Sequence, residues 1–134
     1  MTPIVALRGR MKEVHKPCDK KTALFYPEVD PESLALMSDY ERKVARAQAD
    51  LDRAAAKELC AACEVRLECL EFSLQAGELD HGIFGGLEAV ERTRRMRAAS
   101  RRLRRDTGQS GKESVIDLVM KLERTQAAEA EAAS

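Results

Sequence analysis

The sequence predicts a small all-α domain. Three observations carry that expectation: Ala, Leu, Glu and Arg dominate, β-branched and aromatic residues never alternate over a useful stretch, and apolar residues recur at helical spacing between Gly, Pro and capping residues. Four to five helices fit the length, with flexible termini outside them. The core they can build is thin. Hydrophobic residues make up 44% of the 134, yet 20 of them are Ala, and Leu, Ile, Val and Phe together number 28. That is close to the level at which disorder becomes the default. With Trp absent and aromatics at 4%, such a chain needs a covalent or metal staple to hold one fold. Its four cysteines are the one candidate.

Residues 1–17 show no periodicity, two Pro and scattered basic groups, and read as a flexible N-terminal arm ending at Cys18. Asp30-Pro31-Glu32 has the form of a helix start, with Asp to cap, Pro at the first helical position and acid in the first turn. From Ser38 to about Leu59 no Gly or Pro intervenes, and Tyr40, Val44, Ala47, Leu51, Ala54 and Glu58 fall on one face at alternating steps of four and three. A Cys-rich helix follows from about Glu64 to Ala76, with Gly77 placed to end it. Gly82-Ile83-Phe84-Gly85-Gly86 is a turn, and a further helix continues from it to about Arg105. Residues 106–111 read as a linker, after which Ser110 and Glu113 have the pattern of a capping box. The unit 112–134 then combines a short amphipathic helix bearing Val115, Ile116, Leu118, Val119 and Leu122, expected to cover part of the core, with an Ala/Glu tail that has nothing to bury.

No apolar run approaches the roughly 20 residues of a membrane span, and Ile4–Leu7 is too short for a signal peptide, so a cytosolic protein without membrane contact is expected. Net charge is zero but strongly segregated. Residues 1–21 hold six basic and two acidic groups, residues 58–80 one and six, and residues 87–105 eight and two. At about 100° per residue, Arg94, Arg95, Arg97, Arg101, Arg102, Arg104 and Arg105 fall within an arc of roughly 180°, with Met96, Ala99 and Leu103 opposite. An arginine face without interleaved Glu suits phosphates or another anionic surface. It supplies affinity and salt dependence rather than base reading. No carboxylate-pair motif, nucleophile motif or phosphate loop is recognisable, so neither an enzyme nor a small-molecule substrate is expected.

The sharpest feature is Cys60-x2-Cys63-x5-Cys69 preceded by Cys18. In a reducing compartment such a set reads as metal ligands or redox groups rather than structural disulfides. Cys60 and Cys63 lie at a junction between two helices, Cys69 lies about 9 Å further along a helix axis, and Cys18 closes the site from the arm. Four thiolates suit Zn2+ or an iron-sulfur cluster, a choice that spacing alone leaves open. A thiol-disulfide pair of Cys60 and Cys63 is the competing chemistry, although it lacks a strand-to-helix setting and leaves Cys18 and Cys69 unexplained. Lone His15 and His81, near loops, read as surface groups. Three Gly in the turn allow close approach of another chain segment, so that Ile83 and Phe84, like Phe25 and Tyr26, are either buried at the cysteine site or offered to a partner.

The order Cys18, Leu24-Phe25-Tyr26-Pro27, Ala55-Ala56-Lys57-Glu58-Leu59-Cys60-Ala61-Ala62-Cys63, Cys69-Leu70-Glu71-Phe72-Ser73-Leu74, Gly82-Ile83-Phe84-Gly85-Gly86-Leu87 and then the basic segment resembles the WhiB-like proteins of actinobacteria and their phages. The resemblance spans roughly residues 17–105 and implies a WhiB-like domain at 18–105. It implies a helical transcription regulator whose Cys18, Cys60, Cys63 and Cys69 hold a [4Fe-4S] cluster responsive to oxygen or nitric oxide. It further implies binding of the primary sigma factor's C-terminal domain, within the RNA polymerase holoenzyme, through Phe25, Tyr26, Ile83, Phe84, Gly85 and Gly86, and promoter DNA contact through the arginine face. Phe84 stands where the family usually has Trp, keeping the apolar body without the indole N–H, and Glu64 stands where Pro is common. The stretch from Cys18 to Cys60 is long for the family, which implies an inserted or lengthened helix within residues 34–53. The alternatives are a four-cysteine zinc adaptor for protein interaction and a thiol-disulfide oxidoreductase.

Overall fold

The computed structural model describes residues 1–133. Its helices are α1 (Ile4–Glu13), a short 3-10 helix η1 (Thr22–Phe25), α2 (Pro31–Ala35), α3 (Asp39–Ala61), α4 (Arg66–Ala76), α5 (Ala89–Thr107) and α6 (Lys112–Ala133). An isolated bridge between Phe84 and Leu87 closes the glycine turn. The protein is therefore all-α, with six α-helices among the described residues where four to five are expected from the sequence. None of them is long and apolar enough to cross a membrane.

Local chemistry sets most boundaries. Asp30 caps α2 by accepting from the Ser33 N–H, with Pro31 at the first helical position. Ser38 and Glu41 form a capping box on α3, and Glu88 and Glu91 form one on α5. Gly77 and Gly108 end α4 and α5 in the left-handed conformation. The last helix starts at Lys112, with the Val115 N–H bonded to the Gly111 carbonyl, one residue past the Ser110 start suggested by the capping pattern.

Both terminal segments are helical over much of their length. Residues 1–17 contain α1, which packs on α4 and buries Leu7. One buried Leu in ten residues leaves no periodic signal; tertiary contact rather than intrinsic amphipathicity holds this helix. Arg8 lies over the Phe72 ring at 5.6 Å and the Thr2 N–H bonds Glu71 Oε2 at 3.0 Å. At the other end the Ala/Glu tail continues α6 to Ala133. Ala and Glu are strong helix formers, and α6 is anchored upstream by Val115, Ile116, Val119 and Met120, all buried.

Two clusters of buried residues result. The larger joins Leu70 and Leu74 of α4, Ala99 of α5 and the four apolar residues of α6, with Leu87 and partly buried Met96 and Leu103 alongside. The smaller holds Phe25, Ala56, Cys60 and Ile83. α3 meets it with small residues, Ala56 and Cys60, and buries Ala49 on the same side, while the stripe Tyr40, Val44, Ala47, Leu51 and Ala54 is exposed.

Candidate metal centre

The break between α3 and α4 supplies three of the four cysteines. Cys60 sits in the last turn of α3, the Cys63 N–H bonds the Cys60 carbonyl at 3.1 Å across the break, and Cys69 sits in the first turn of α4 with its N–H on the Val65 carbonyl at 2.8 Å. Cys18 arrives on a turn closed by the Lys21 N–H on the Cys18 carbonyl at 3.0 Å, which leads into η1. All four thiols are free and line one cavity of about 270 Å³, together with Phe25 and Ile83. His15 and His81 are exposed and do not line it.

The glycine turn closes this cavity. Gly85 and Gly86 donate backbone N–H groups to the sulfurs of Cys69 and Cys60 respectively. Gly85, at φ +60°, packs so closely that a Cβ there would lie 2.6 Å from the Arg66 carbonyl oxygen and 2.6 Å from Leu70 Cβ. No other residue fits both the backbone and the space.

Burial pushes the Cys69 thiol up to about 12, and it also raises Cys60 and Cys18, with neighbouring cysteine charges adding to the effect. The glycine N–H groups oppose this, as does Arg66 at Cys60 and Lys16 at Cys18. Raised thiols at Cys18, Cys60 and Cys69 hold their protons more firmly than a free cysteine, opposite to what a nucleophilic redox cysteine requires. A cation among the four sulfurs removes the penalty, and loading it releases protons. A sulfur-only donor set in an apolar cavity, with N–H groups aimed at two sulfurs, fits a thiolate-bound metal group. Among the described residues no group of three His, Cys, Asp or Glu is arranged to hold one metal ion.

The aromatic candidates divide. Phe25 and Ile83 are buried, and the Ile83 N–H bonds the Phe25 carbonyl at 2.8 Å, so they wall the cavity. Tyr26 is 48% exposed and meets half-buried Phe84 edge to face, with centroids 6.4 Å apart. Gly85 is buried and Gly86 partly so. The outer surface of the turn therefore consists of two rings rather than four apolar side chains.

Arg92, which the sequence reading passes over, fixes that turn. Its fully buried guanidinium donates to the carbonyls of Gly82 and Leu87 at 2.7 Å, of His81 at 2.7 Å and of Glu78 at 3.0 Å, and lies over the Phe84 ring at 4.9 Å. Glu28 Oε1 accepts from the Gly82 N–H at 2.7 Å. A signal existed: at about 100° per residue Arg92 falls within roughly 40° of Met96, Ala99 and Leu103, so it belongs to the inward face of α5.

The seven arginines of the opposite face are all exposed. Arg95 pairs with Glu123 of α6 at 2.9 Å and Arg102 with Asp106 at 3.7 Å, so two of the seven are engaged within the chain. Arg101, Arg104 and Arg105 line a shallow depression around Ala98.

Fold and site together define a small helical tetracysteine protein with an exposed arginine face. A family model described as Transcription factor WhiB matches residues 16–95, well over half of the chain, and the chain belongs to that family of transcription factors. The Transcriptional regulator WhiB of Streptomyces coelicolor (strain ATCC BAA-471 / A3(2) / M145) is 54% identical over 44 residues, which cover 33% of this chain and 49% of that protein. The chain thus spans about half the length of the curated relative it matches. No solved structure matches.

Proposed function

We propose that the protein is an iron-sulfur transcription regulator in which Cys18, Cys60, Cys63 and Cys69 hold a [4Fe-4S] cluster, Tyr26 and Phe84 contact the primary sigma factor's C-terminal domain, and the arginine face of α5 contacts promoter DNA. The observation that carries this reading is the convergence of four thiols on one cavity, two of them under glycine N–H groups, in a chain of the WhiB family. A four-iron cluster uses one cysteine per iron and accepts wider sulfur spacing than a tetrahedral Zn2+ site.

When bound, such a cluster supplies redox chemistry open to oxygen or nitric oxide. The chain's own part is positional. Cys18 ties η1 and Tyr26 to the α3–α4 junction, while the Gly85 and Gly86 N–H groups tie the Phe84 turn to Cys69 and Cys60. A change at the thiolates therefore reaches exposed Tyr26 and half-buried Phe84 at once. On α5, Arg94, Arg97, Arg101, Arg104 and Arg105 point away from the core and suit phosphates.

The test is protein purified without oxygen, with iron, sulfide and zinc assayed on the sample whose visible spectrum is taken. A brown protein with about four iron per chain supports the cluster. Colourless protein with one zinc overturns it in favour of an adaptor. The loaded protein is then used to capture the sigma-factor domain and to bind DNA over a salt series. Replacing Arg101, Arg104 and Arg105 with Ala is expected to lower DNA affinity and flatten its salt dependence; unchanged binding refutes the arginine contact.

A further inference from the structure

α3 has two faces, and the domain uses only one. Ala49, Ala56 and Cys60 are buried on the side that meets η1 and the cysteine cavity. Directly opposite, Tyr40 is 76% exposed, Leu51 66% and Val44 50%, with Ala47 and Ala54 exposed between and beyond them. The spacing 40, 44, 47, 51, 54 is the alternation of fours and threes that forms the seam of a two-helix coiled coil. The segment is a firm helix in spite of its exposure: the Ser38–Glu41 capping box fixes its start and neither Gly nor Pro interrupts it.

We propose that α3 pairs with α3 of a second copy of this chain, antiparallel, through Tyr40, Val44, Ala47, Leu51 and Ala54. The flanking charges select both the occupant and the direction. Lys43 and Asp50 occupy the same flank of the seam, each immediately before a core position. In an antiparallel pair, like flanks face each other. With Val44 set opposite the partner's Ala47, and Tyr40 opposite the partner's Leu51, Lys43 meets the partner's Asp50 and Asp50 meets the partner's Lys43. On the other flank Glu41 meets the partner's Gln48, so no like charges face each other.

A parallel pair lacks these ion pairs. It sets Lys43 against Gln48 and Asp50 against Ala55, and brings the two copies of Glu58 together at the seam. Lys43 makes no ion pair among the described residues, and Asp50, which accepts from Arg53 at 2.6 Å, keeps a side chain 75% exposed. Both are therefore available. The small side chains of Ala47 and Ala54 allow the two helices to come close, and the arrangement closes on itself by a two-fold axis, which limits it to a dimer.

The seam covers about 22 Å of helix, near the lower end of specific interfaces, so the dimer is weak and concentration-dependent. Its geometry carries a consequence for the cysteine sites. Two-fold pairing about a point between Val44 and Ala47 places the two Cys60 residues roughly 44 Å apart along the helix axis, at opposite ends of the assembly.

The experiment is sedimentation equilibrium of the full chain under reductant and without oxygen, so that cysteine oxidation cannot link copies, from roughly 1 to 500 µM. The mass is expected to rise from one chain to two. Val44→Glu with Leu51→Glu is expected to weaken association at least tenfold with unchanged circular dichroism, because both side chains are exposed in the single chain. Lys43→Asp alone and Asp50→Lys alone each place like charges across the seam twice, so each is expected to self-associate more weakly. A mixture of the two single variants restores both ion pairs and is expected to form the mixed dimer preferentially. A single-chain mass at the highest concentration, a dimer indifferent to Val44→Glu with Leu51→Glu, or a mixture with no preference for the mixed pair overturns the proposal.

Discussion

Between α4, α5 and α6 the molecule buries a continuous set of Leu, Ile, Val and Met side chains, whereas the cysteine pole between η1, α3 and the glycine turn buries only Phe25, Ala56, Cys60 and Ile83. Apolar area holds the first region. The second relies on polar stitching: the Arg92 guanidinium on four carbonyls, Glu28 on the Gly82 N–H, and glycine N–H groups on two sulfurs. A small helical domain can thus keep a stable body while leaving its responsive end dependent on four thiolates, and the two regions should answer differently to substitution.

Arg92 lies on the boundary, and removing it should have the largest effect. Arg92→Ala deletes a buried charge and leaves the carbonyls of Glu78, His81 and Gly82 without their donor, that of Leu87 keeping the Phe84 N–H, at about 1–3 kcal/mol for each group that stays dry. A loss of about 4 kcal/mol or more in urea unfolding is expected, with the Phe84 turn released. Lysine cannot replace the planar fork that reaches all four oxygens. A loss below about 1 kcal/mol would show that water takes over the carbonyls and that Arg92 does not hold the turn.

Ile116→Ala tests the other region. A buried aliphatic cut to Ala costs about 2–4 kcal/mol, and this cost should be equal with and without metal, because Ile116 packs in the α4–α5–α6 core. Cys18→Ser gives the contrast. It should lower metal content and the stability of loaded protein, yet shift the metal-free protein by no more than about 0.5 kcal/mol. Equal effects of Cys18→Ser on both forms would show that the two regions unfold as one and that the pole needs no ligand.

How much of this was legible in the sequence follows the same division. The start of α2, the end of α4 at Gly77, the glycine turn and the outward arginines of α5 opposite Met96, Ala99 and Leu103 are written in local spacing and capping residues, and the structure has them there. α1 was not legible, because Leu7 alone anchors it. The stripe on α3 was legible as a stripe, but periodicity cannot tell which face meets the rest of the chain, and here small Ala56 goes inward beside Phe25 and Cys60. At the candidate site the four cysteines could be read from spacing. The role of Arg92 could not be isolated from seven other arginines on one helix without asking which of them shares a face with the apolar residues.

Two glycines sharpen the comparison at the level of backbone. Both have positive φ, but a Cβ at Gly77 meets nothing within 4 Å, while one at Gly85 meets Arg66 and Leu70 at 2.6 Å. Gly77→Ala should therefore cost only the left-handed strain, about 1 kcal/mol. Gly85→Ala adds a backbone clash and displaces an N–H from Cys69, so about 3 kcal/mol and reduced metal content are expected. Equal losses at the two positions would mean that the pole yields to an added methyl group.

The smallest effect concerns the ties between α3 and the start of α5. Lys57 Nζ lies 2.7 Å from Glu91 Oε1 and 3.1 Å from Glu88 Oε2, and Arg53 also pairs with Glu88. Burial is the largest single influence and opposes ionisation of both Glu91 and Lys57, but their mutual hydrogen bond, the hydrogen bonds to Glu88 and the opposite charges together outweigh it, so Glu91 lies below the usual carboxylate range and Lys57 above the usual lysine range. For Glu91 the stabilisation is complete above the unfolded carboxylate value and is lost as pH falls through the folded one. For Lys57 it is complete below the unfolded lysine value and is lost as pH rises through the folded one. The tie is therefore at full strength between these limits, neutral pH included. Both side chains are about one-third exposed, so solvent screening limits the pair to about 0.5–1 kcal/mol. Glu91→Gln keeps an oxygen to accept the Glu88 N–H and so preserves the helix start while removing the charge. Stability at neutral pH should fall by that amount, and the decline between neutral pH and about pH 3 should become shallower than in the unaltered chain. An unaltered acid limb would show that α3 and α5 are held in register by the cysteine pole alone.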